Sequence, residues 1–370
     1  MKGTLSMIDV VEIVKQFCIE GEIKSIKSMN SGHINTTFRI TFNNEGRTEY
    51  YTAQAINTYV FKNPEAVMDN IVKVTNHIRK KLEESGGNLE REVLTPIQAK
   101  DGKYFYVDIE NTYWRIYHFI DKSHTHNKVE DPMTLYSAGE CFGNFQKQLA
   151  DFPMDELVET IPDFHNTPVR YDQLMEAIER NSAGRADRCM REIKFFLDRE
   201  KEMSILTNLQ ADGKLPLRVT HNDTKFNNIL LDDETNKAIS VIDLDTVMPG
   251  LVTSDFGDAI RFAANMADED ETDLSKVEVS LELFEAFTKG FLTALDGRLT
   301  ETEMLNLVWG AKIMTMECGM RFLADYINGD VYFKIHREHH NLDRARNQIA
   351  LTKSIEAKFD KLQAIVKKYM

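Results

Sequence analysis

The chain has 370 residues, with 45 Lys+Arg against 59 Asp+Glu and a formal net charge of −14. A composition of 42% hydrophobic and 28% charged residues, with only 18 Gly and 8 Pro, excludes wholly disordered, fibrous and low-complexity classes. The acidic balance argues against nucleic acid and anionic membrane as partners, and no apolar run is long enough to span a bilayer.

In chain order, residues 1–17 mix Lys2, Asp9, Glu12 and Lys15 among apolar positions, the pattern of an amphipathic helix and not of a leader peptide. Cys18, Cys141, Cys189 and Cys318 are far apart and form no CxxC pair, so reduced thiols and a cytoplasmic location are expected. Residues 23–29 read as a strand, followed by the turn Asn30-Ser31-Gly32-His33. A hairpin spans 37–42 and 49–56 around the turn at 43–46. A helix starts at about Pro64 with Val67, Ile71, Val74 and Ile78 at helical spacing, and Ser85-Gly86-Gly87-Asn88 ends it. Strands are expected at 103–109 and 112–120. Helices are expected at 136–149, 171–178 and 192–209, strand and turn at 217–242, and helices again from about Leu274. The expected class is α+β, with two lobes, 1–120 and 121–370, joined by a hinge without a composition shift.

The stretch that carries chemistry is His221-x-Asp223-x-Lys225-x-x-Asn228, followed by Ile242-Asp243-Leu244-Asp245. Phosphoryl transfer needs a carboxylate to orient a hydroxyl, and hard ligands and cations to neutralise phosphate charge. Asp223 suits the first task and Lys225 offers a point charge to the transferring phosphate. Asn228 and Asp243 can offer oxygens to Mg2+, with Asp245 as a further ligand or as support for one. The apolar runs 229–231 and 239–242 flank a polar turn, so a β-hairpin returns Asp243 to the neighbourhood of Asn228.

These motifs resemble the catalytic loop and metal-binding strand of the aminoglycoside phosphotransferase/choline kinase superfamily, which is protein-kinase-like. Further stretches are similar to the bacterial N-acetylhexosamine 1-kinases: Gly32-His-Ile-Asn-Thr-Thr37, Asp255-Phe-Gly-Asp258, Asp273-Leu-Ser-Lys-Val277 and, above all, Thr315-Met-Glu-Cys-Gly-Met-Arg-Phe-Leu-Ala-Asp-Tyr326. The resemblance spans nearly the whole chain. It implies a bilobed kinase-like fold and ATP-dependent phosphorylation of the anomeric hydroxyl of N-acetylglucosamine or N-acetylgalactosamine. Asp223 would be the base and Asn228 and Asp243 the metal ligands. His33, Arg321 and Tyr332 would hold the sugar. The partners implied are ATP and a small sugar, with the chain a monomer or weak dimer.

The nucleotide end departs from protein kinases. One glycine, Gly32, stands where they have three, leaving Asn35 and Thr36 as donors to phosphate. Gln54 takes the place of their strand lysine. Asp69 is available as an acid on the following helix, although nothing requires it. Adenine is expected against the backbone of His118, Phe119 and Ile120. Asp255-Phe256-Gly257 spells a kinase metal motif but lies too far downstream, so Asp255 is expected to support the catalytic loop through backbone hydrogen bonds. The competing readings are a choline, homoserine or aminoglycoside kinase of the same superfamily, and a non-catalytic nucleotide-binding module. Arg321 speaks against a cationic acceptor, and the full Asp223/Asn228/Asp243 set against the module.

Overall fold

The structure is a computed structural model that describes residues 7–29, 34–129 and 131–370. Gly32 and His33 lie outside the described residues.

An antiparallel sheet of order β1-β2-β3-β5-β4 is built from β1 (Glu22–Met29), β2 (Thr36–Asn44), β3 (Arg47–Ala55), β4 (Tyr106–Val107) and β5 (Tyr113–His118). Helix α1 (Met7–Val14) precedes it, and α2 (Pro64–Ser85) follows β3. Alternation of side chains gives the sheet two faces. Phe38, Ile40, Ala53, Trp114 and Ile116 form a core with Val10, Val14 and Phe17. On the other face Thr37, Gln54 and Arg115 are direct cross-strand partners. Helix α2 is capped by the Asn63 side chain, which accepts the Ala66 N–H, and it ends at Gly86 in the left-handed region at φ 74°.

Strand β6 (Ser123–His124) leaves this sheet and pairs with β8 (Ile229–Asp232), which pairs with β9 (Ala238–Val241). Helices α3 (Pro132–Gln148), α4 (Thr167–Arg180), α5 (Met190–Leu197) and α6 (Ile205–Ala211) come between, with β7 (Arg218–Thr220). After β10 (Met248–Gly250), paired with β7, come α7 (Val252–Ala263), α8 (Leu281–Leu295), α9 (Glu301–Leu305), α10 (Leu307–Asn328) and α11 (His340–Lys368). Met314, Met316, Met320 and Phe322 are buried, as the α10 pattern requires. Among the described residues no helix is long and apolar enough to cross a membrane.

Two expectations need correction. The single helix over 192–209 is α5 and α6, interrupted at Asp198–Ser204, where the polar run Asp-Arg-Glu-Lys-Glu offers no apolar face to carry a helix through the core. Helices also resume earlier than Leu274. Helix α7 is buried on nearly every side, so it lacks the amphipathic period by which helices are recognised.

Helix α7 crosses α10 with backbones in contact. A Cβ on Gly257 would lie 2.3 Å from the Gly310 carbonyl oxygen, and one on Gly310 would lie 2.0 Å from that of Thr253. Helix propensity favours Gly310→Ala by about 1 kcal/mol. The clash is with backbone on both sides and costs about 1–3 kcal/mol or more. Gly310→Ala is therefore expected to lower the thermal midpoint. An unchanged or higher midpoint would refute the close approach.

Candidate active site

The loop between β7 and β8 is fixed from four directions. Asp255, in the first turn of α7, accepts the backbone N–H of His221 through Oδ2 (2.9 Å) and that of Asn222 through Oδ1 (2.7 Å). Gln146 of α3 donates to the same carboxylate at 2.7 Å. The Thr246 hydroxyl donates to the His221 carbonyl at 2.7 Å. His221 Nε2 lies 2.9 Å from the Ile242 carbonyl and Nδ1 lies 3.2 Å from the Asp223 N–H. A carbonyl only accepts and an N–H only donates, so the imidazole is neutral with its proton on Nε2. It thereby ties Asp223 to the strand end that presents Asp243.

Two non-glycine residues flank the site in the left-handed region, Asn222 at φ 63° and Asp243 at φ 61°. Such conformations persist only where the surroundings hold them. The Asn222 side chain supplies that hold by donating to the Thr246 and Met248 carbonyls.

The β8–β9 hairpin brings the sequence-predicted residues together. The Ile242 N–H donates to the Asn228 carbonyl at 2.9 Å, which sets Asp243 beside Asn228. Asn228 Nδ2 donates to the Asp223 carbonyl (2.8 Å) and to its Oδ2 (3.1 Å), so the Asn228 amide oxygen has no hydrogen bond among the described residues. Lys225 Nζ lies 2.9 Å from Asp223 Oδ1. Burial pushes the Asp223 carboxyl up, but the charge and hydrogen bond of Lys225, with the charge of Arg261, outweigh it and hold the group below the usual carboxylate range. Asp243 behaves oppositely. Although the residue is exposed at the surface, the protein surrounding its carboxyl, then the charges of Asp245 and Asp223, push it up to about 6. It has no hydrogen bond or ion pair among the described residues, whereas its neighbours do.

This donor set fits Mg2+. Among the described residues no group of three or more His, Cys, Asp or Glu is placed to hold a metal. One amide oxygen and one raised, unpaired carboxylate suit a cation that retains waters and takes phosphate oxygens. Asp245 is otherwise engaged. Its Oδ1 is 2.5 Å from Arg115 Nη1 and its Oδ2 accepts from Asn35 Nδ2 at 2.7 Å.

Asn35 also accepts the Asn57 N–H at 3.0 Å, so both ends of its amide are used within the protein. Gln54 accepts from Arg115 Nε at 3.0 Å and donates to the Thr37 hydroxyl at 3.2 Å. Thr36 opens β2 on an exposed position. His118 N–H donates to the Thr95 carbonyl and Phe119 N–H to that of Tyr50, leaving Ile120 N–H as the unbonded donor of that segment among the described residues. Asp69 is exposed and pairs with Lys73 on α2 at 2.8 Å. Asn70, one residue on, is buried and donates to the Val158 and Val247 carbonyls, tying α2 to the segment after Asp245.

Arg321, on α10, lines a cavity of about 370 Å³ with Phe164, Arg170, Tyr332 and Phe333. Its guanidinium carbon stands 5.4 Å from the Phe164 ring, 5.9 Å from Tyr332 and 5.6 Å from Phe333. Among the described residues no carboxylate or carbonyl pairs with it. Burial disfavours its charge, but Tyr332, Cys318, Glu317 and Asp223 outweigh this and hold its pKa above the ordinary value.

Two functional-site residues escaped sequence reasoning. Asp325 accepts the consecutive N–H groups of Val331, Tyr332 and Phe333 (2.9, 2.8 and 2.9 Å) and so shapes the loop that carries Tyr332. Glu317 faces His165 at 2.8 Å and accepts the Thr167 hydroxyl at 2.7 Å. The signal was present, since Glu317, Arg321 and Asp325 recur every four residues and share one face of α10.

A family model described as the phosphotransferase enzyme family matches residues 25–286. Solved structures of similar fold include an aminoglycoside phosphotransferase from Alicyclobacillus acidocaldarius, at 10% identity and TM-score 0.66, covering 100% of this chain and 98% of that one. A choline kinase from Cryptosporidium parvum matches at 14% identity and TM-score 0.57, with 98% of each chain covered. A spectinomycin phosphotransferase in complex with ADP and spectinomycin matches at 14% identity and TM-score 0.55, covering 99% of this chain and 98% of that one. At these identities the likeness is one of fold.

Proposed function

Because the chain belongs to the phosphotransferase enzyme family, we propose that it transfers the γ-phosphoryl group of ATP to the anomeric hydroxyl of an N-acetylhexosamine, giving the sugar 1-phosphate. Asp223 orients that hydroxyl and takes its proton. Lys225 keeps Asp223 ionised and presents positive charge to the transferring phosphate. Asn228 and Asp243 are the protein ligands for Mg2+, which would neutralise phosphate charge when bound. Thr36, Gln54 and the segment His118, Phe119 and Ile120 border the nucleotide, and Arg321 and Tyr332 border the sugar.

The observation that carries the sugar reading is Arg321. An unpaired guanidinium banded by three aromatic rings repels quaternary ammonium and aminoglycoside cations. It suits a neutral acceptor rich in hydroxyl and carbonyl oxygens, while the rings offer flat faces to C–H groups. The spectinomycin and choline enzymes share the fold, so the acceptor is read from this cavity and not from them.

The test is a coupled ADP-release assay with N-acetylglucosamine, N-acetylgalactosamine, glucose, choline, homoserine and kanamycin. Turnover is expected with one or both N-acetylhexosamines. Arg321→Met is expected to raise the sugar KM at least about tenfold, as loss of a charge-assisted hydrogen bond does, with the ATP KM little changed. Turnover confined to choline, homoserine or kanamycin would sink the sugar reading.

A further inference from the structure

Resting on the phosphotransferase reading, we propose that the sheet-side cation of this nucleotide site is Arg115 on β5, a positioning residue that acts through Asp245, and that its presence is why an amide stands at position 54.

Gln54 and Arg115 are directly paired across β3 and β5, so their side chains leave the same face of the sheet. The Arg115 side chain is 1% exposed and that of Asp245 4%. The guanidinium uses Nε to donate to Gln54 Oε1 at 3.0 Å and Nη1 to face Asp245 Oδ1 at 2.5 Å. Nη1 also rests on the Met68 sulfur of α2 at 3.9 Å. Gln54 in turn donates to Thr37, and reversing the amide would set its NH2 against the Arg115 Nε–H, which can only donate. A lysine at position 54 would replace the acceptor of Arg115 Nε with a second cation at hydrogen-bonding distance. Gln54 is thus the neutral acceptor that a buried arginine on the next strand requires.

The consequence reaches the phosphate end of the cleft. Asp245 is two residues from Asp243, separated by a single tight turn over Leu244–Thr246. Its two oxygens are held from the sheet side, by Arg115 and by Asn35 just before β2. Asp243 itself has no such hold and stands at a positive φ. The Ile242 bond to Asn228 fixes the chain on one side of Asp243, and the pinned Asp245 fixes it on the other, with Arg115 the charged part of that pin.

The experiment is a charge-transplant cycle with Arg115→Gln, Gln54→Lys and the double variant. ADP affinity is read by calorimetry with and without Mg2+, beside kcat and a thermal melt. Gln54→Lys alone is expected to weaken Mg2+-dependent ADP binding at least about tenfold. Arg115→Gln is expected to do the same and to raise the Mg2+ concentration for half-maximal ADP binding. In the double variant the introduced ammonium faces Asp245 without a competing guanidinium, so affinity recovers at least about tenfold over Gln54→Lys, the coupling expected for residues in one network. The metal-free affinity is expected to move little throughout, which a loss of folded protein alone would not produce. Gln54→Lys binding as tightly as the parent, or a double variant that fails to fold or binds no better than Gln54→Lys, overturns the proposal. A parent protein that binds no ADP at all would instead overturn the phosphotransferase reading beneath it.

Discussion

Asp223→Asn is expected to lower kcat by about 10²–10⁴-fold, the range for removing a positioned proton acceptor. The sugar KM is expected to stay within about threefold, because substrate binding rests on other groups. The asymmetry follows from the geometry. Asparagine keeps an oxygen for Asn228 Nδ2, now 3.1 Å from Asp223 Oδ2, and the backbone contacts of the loop are unchanged. What is lost is the negative charge beside Lys225 and the ability to accept a proton. Lys225 holds the Asp223 pKa below the usual carboxylate range, so the carboxylate is a weak base. Its task is chiefly to orient the hydroxyl and to take the proton late, as a loose phosphoryl-transfer transition state allows. Single-turnover ADP release with a parallel sugar titration checks this. A variant with parental turnover removes Asp223 from the mechanism.

The residues of this argument were visible in the sequence because they are local to one another. Asp223, Lys225 and Asn228 lie within six positions, and a polar turn between two apolar runs is enough to predict that Asp243 returns to them. The ends of α2 were legible for a similar reason, since Asn63-Pro64 and Gly86 are chemical punctuation. The supports of the site were not legible. Asn35 meets Asp245 across 210 positions, and Arg115 meets it from a strand whose alternation predicts only a face and not a partner. Asp255 shows both sides. The sequence separates it from a metal motif by distance along the chain, whereas its hydrogen bonds to His221 and Asn222 depend on α7, which the hydrophobic pattern hides. Gly257 is explained by the same helix, where a backbone crossing excludes a side chain.

The second large effect concerns Glu317 and His165. His165 Nδ1 lies 2.8 Å from Glu317 Oε1, and Nε2 lies 2.8 Å from the Asn222 carbonyl. A carboxylate and a carbonyl both accept, so both ring nitrogens donate and the ring is an imidazolium. Burial alone would lower its pKa. The charge and hydrogen bond of Glu317, with the bond to Asn222, outweigh burial and raise it. The side chains are 11% and 1% exposed, so this is a buried ion pair that holds the residue preceding Asp223. Glu317→Ala leaves the imidazolium without its partner and is expected to destabilise the fold by about 3–5 kcal/mol. Glu317→Gln keeps an acceptor for the Thr167 hydroxyl but offers no charge, so its cost is smaller and its pH dependence is diagnostic. A histidine raised in the folded state stabilises fully below its unfolded pKa, about 6.5, and loses that contribution as pH rises through the folded value. The stability advantage of the parent over Glu317→Gln is therefore expected to be largest near pH 6 and to shrink toward pH 9. Urea unfolding at several pH values measures it. A constant difference across that range would mean that the ring is neutral and that Asn222 is held by something other than charge.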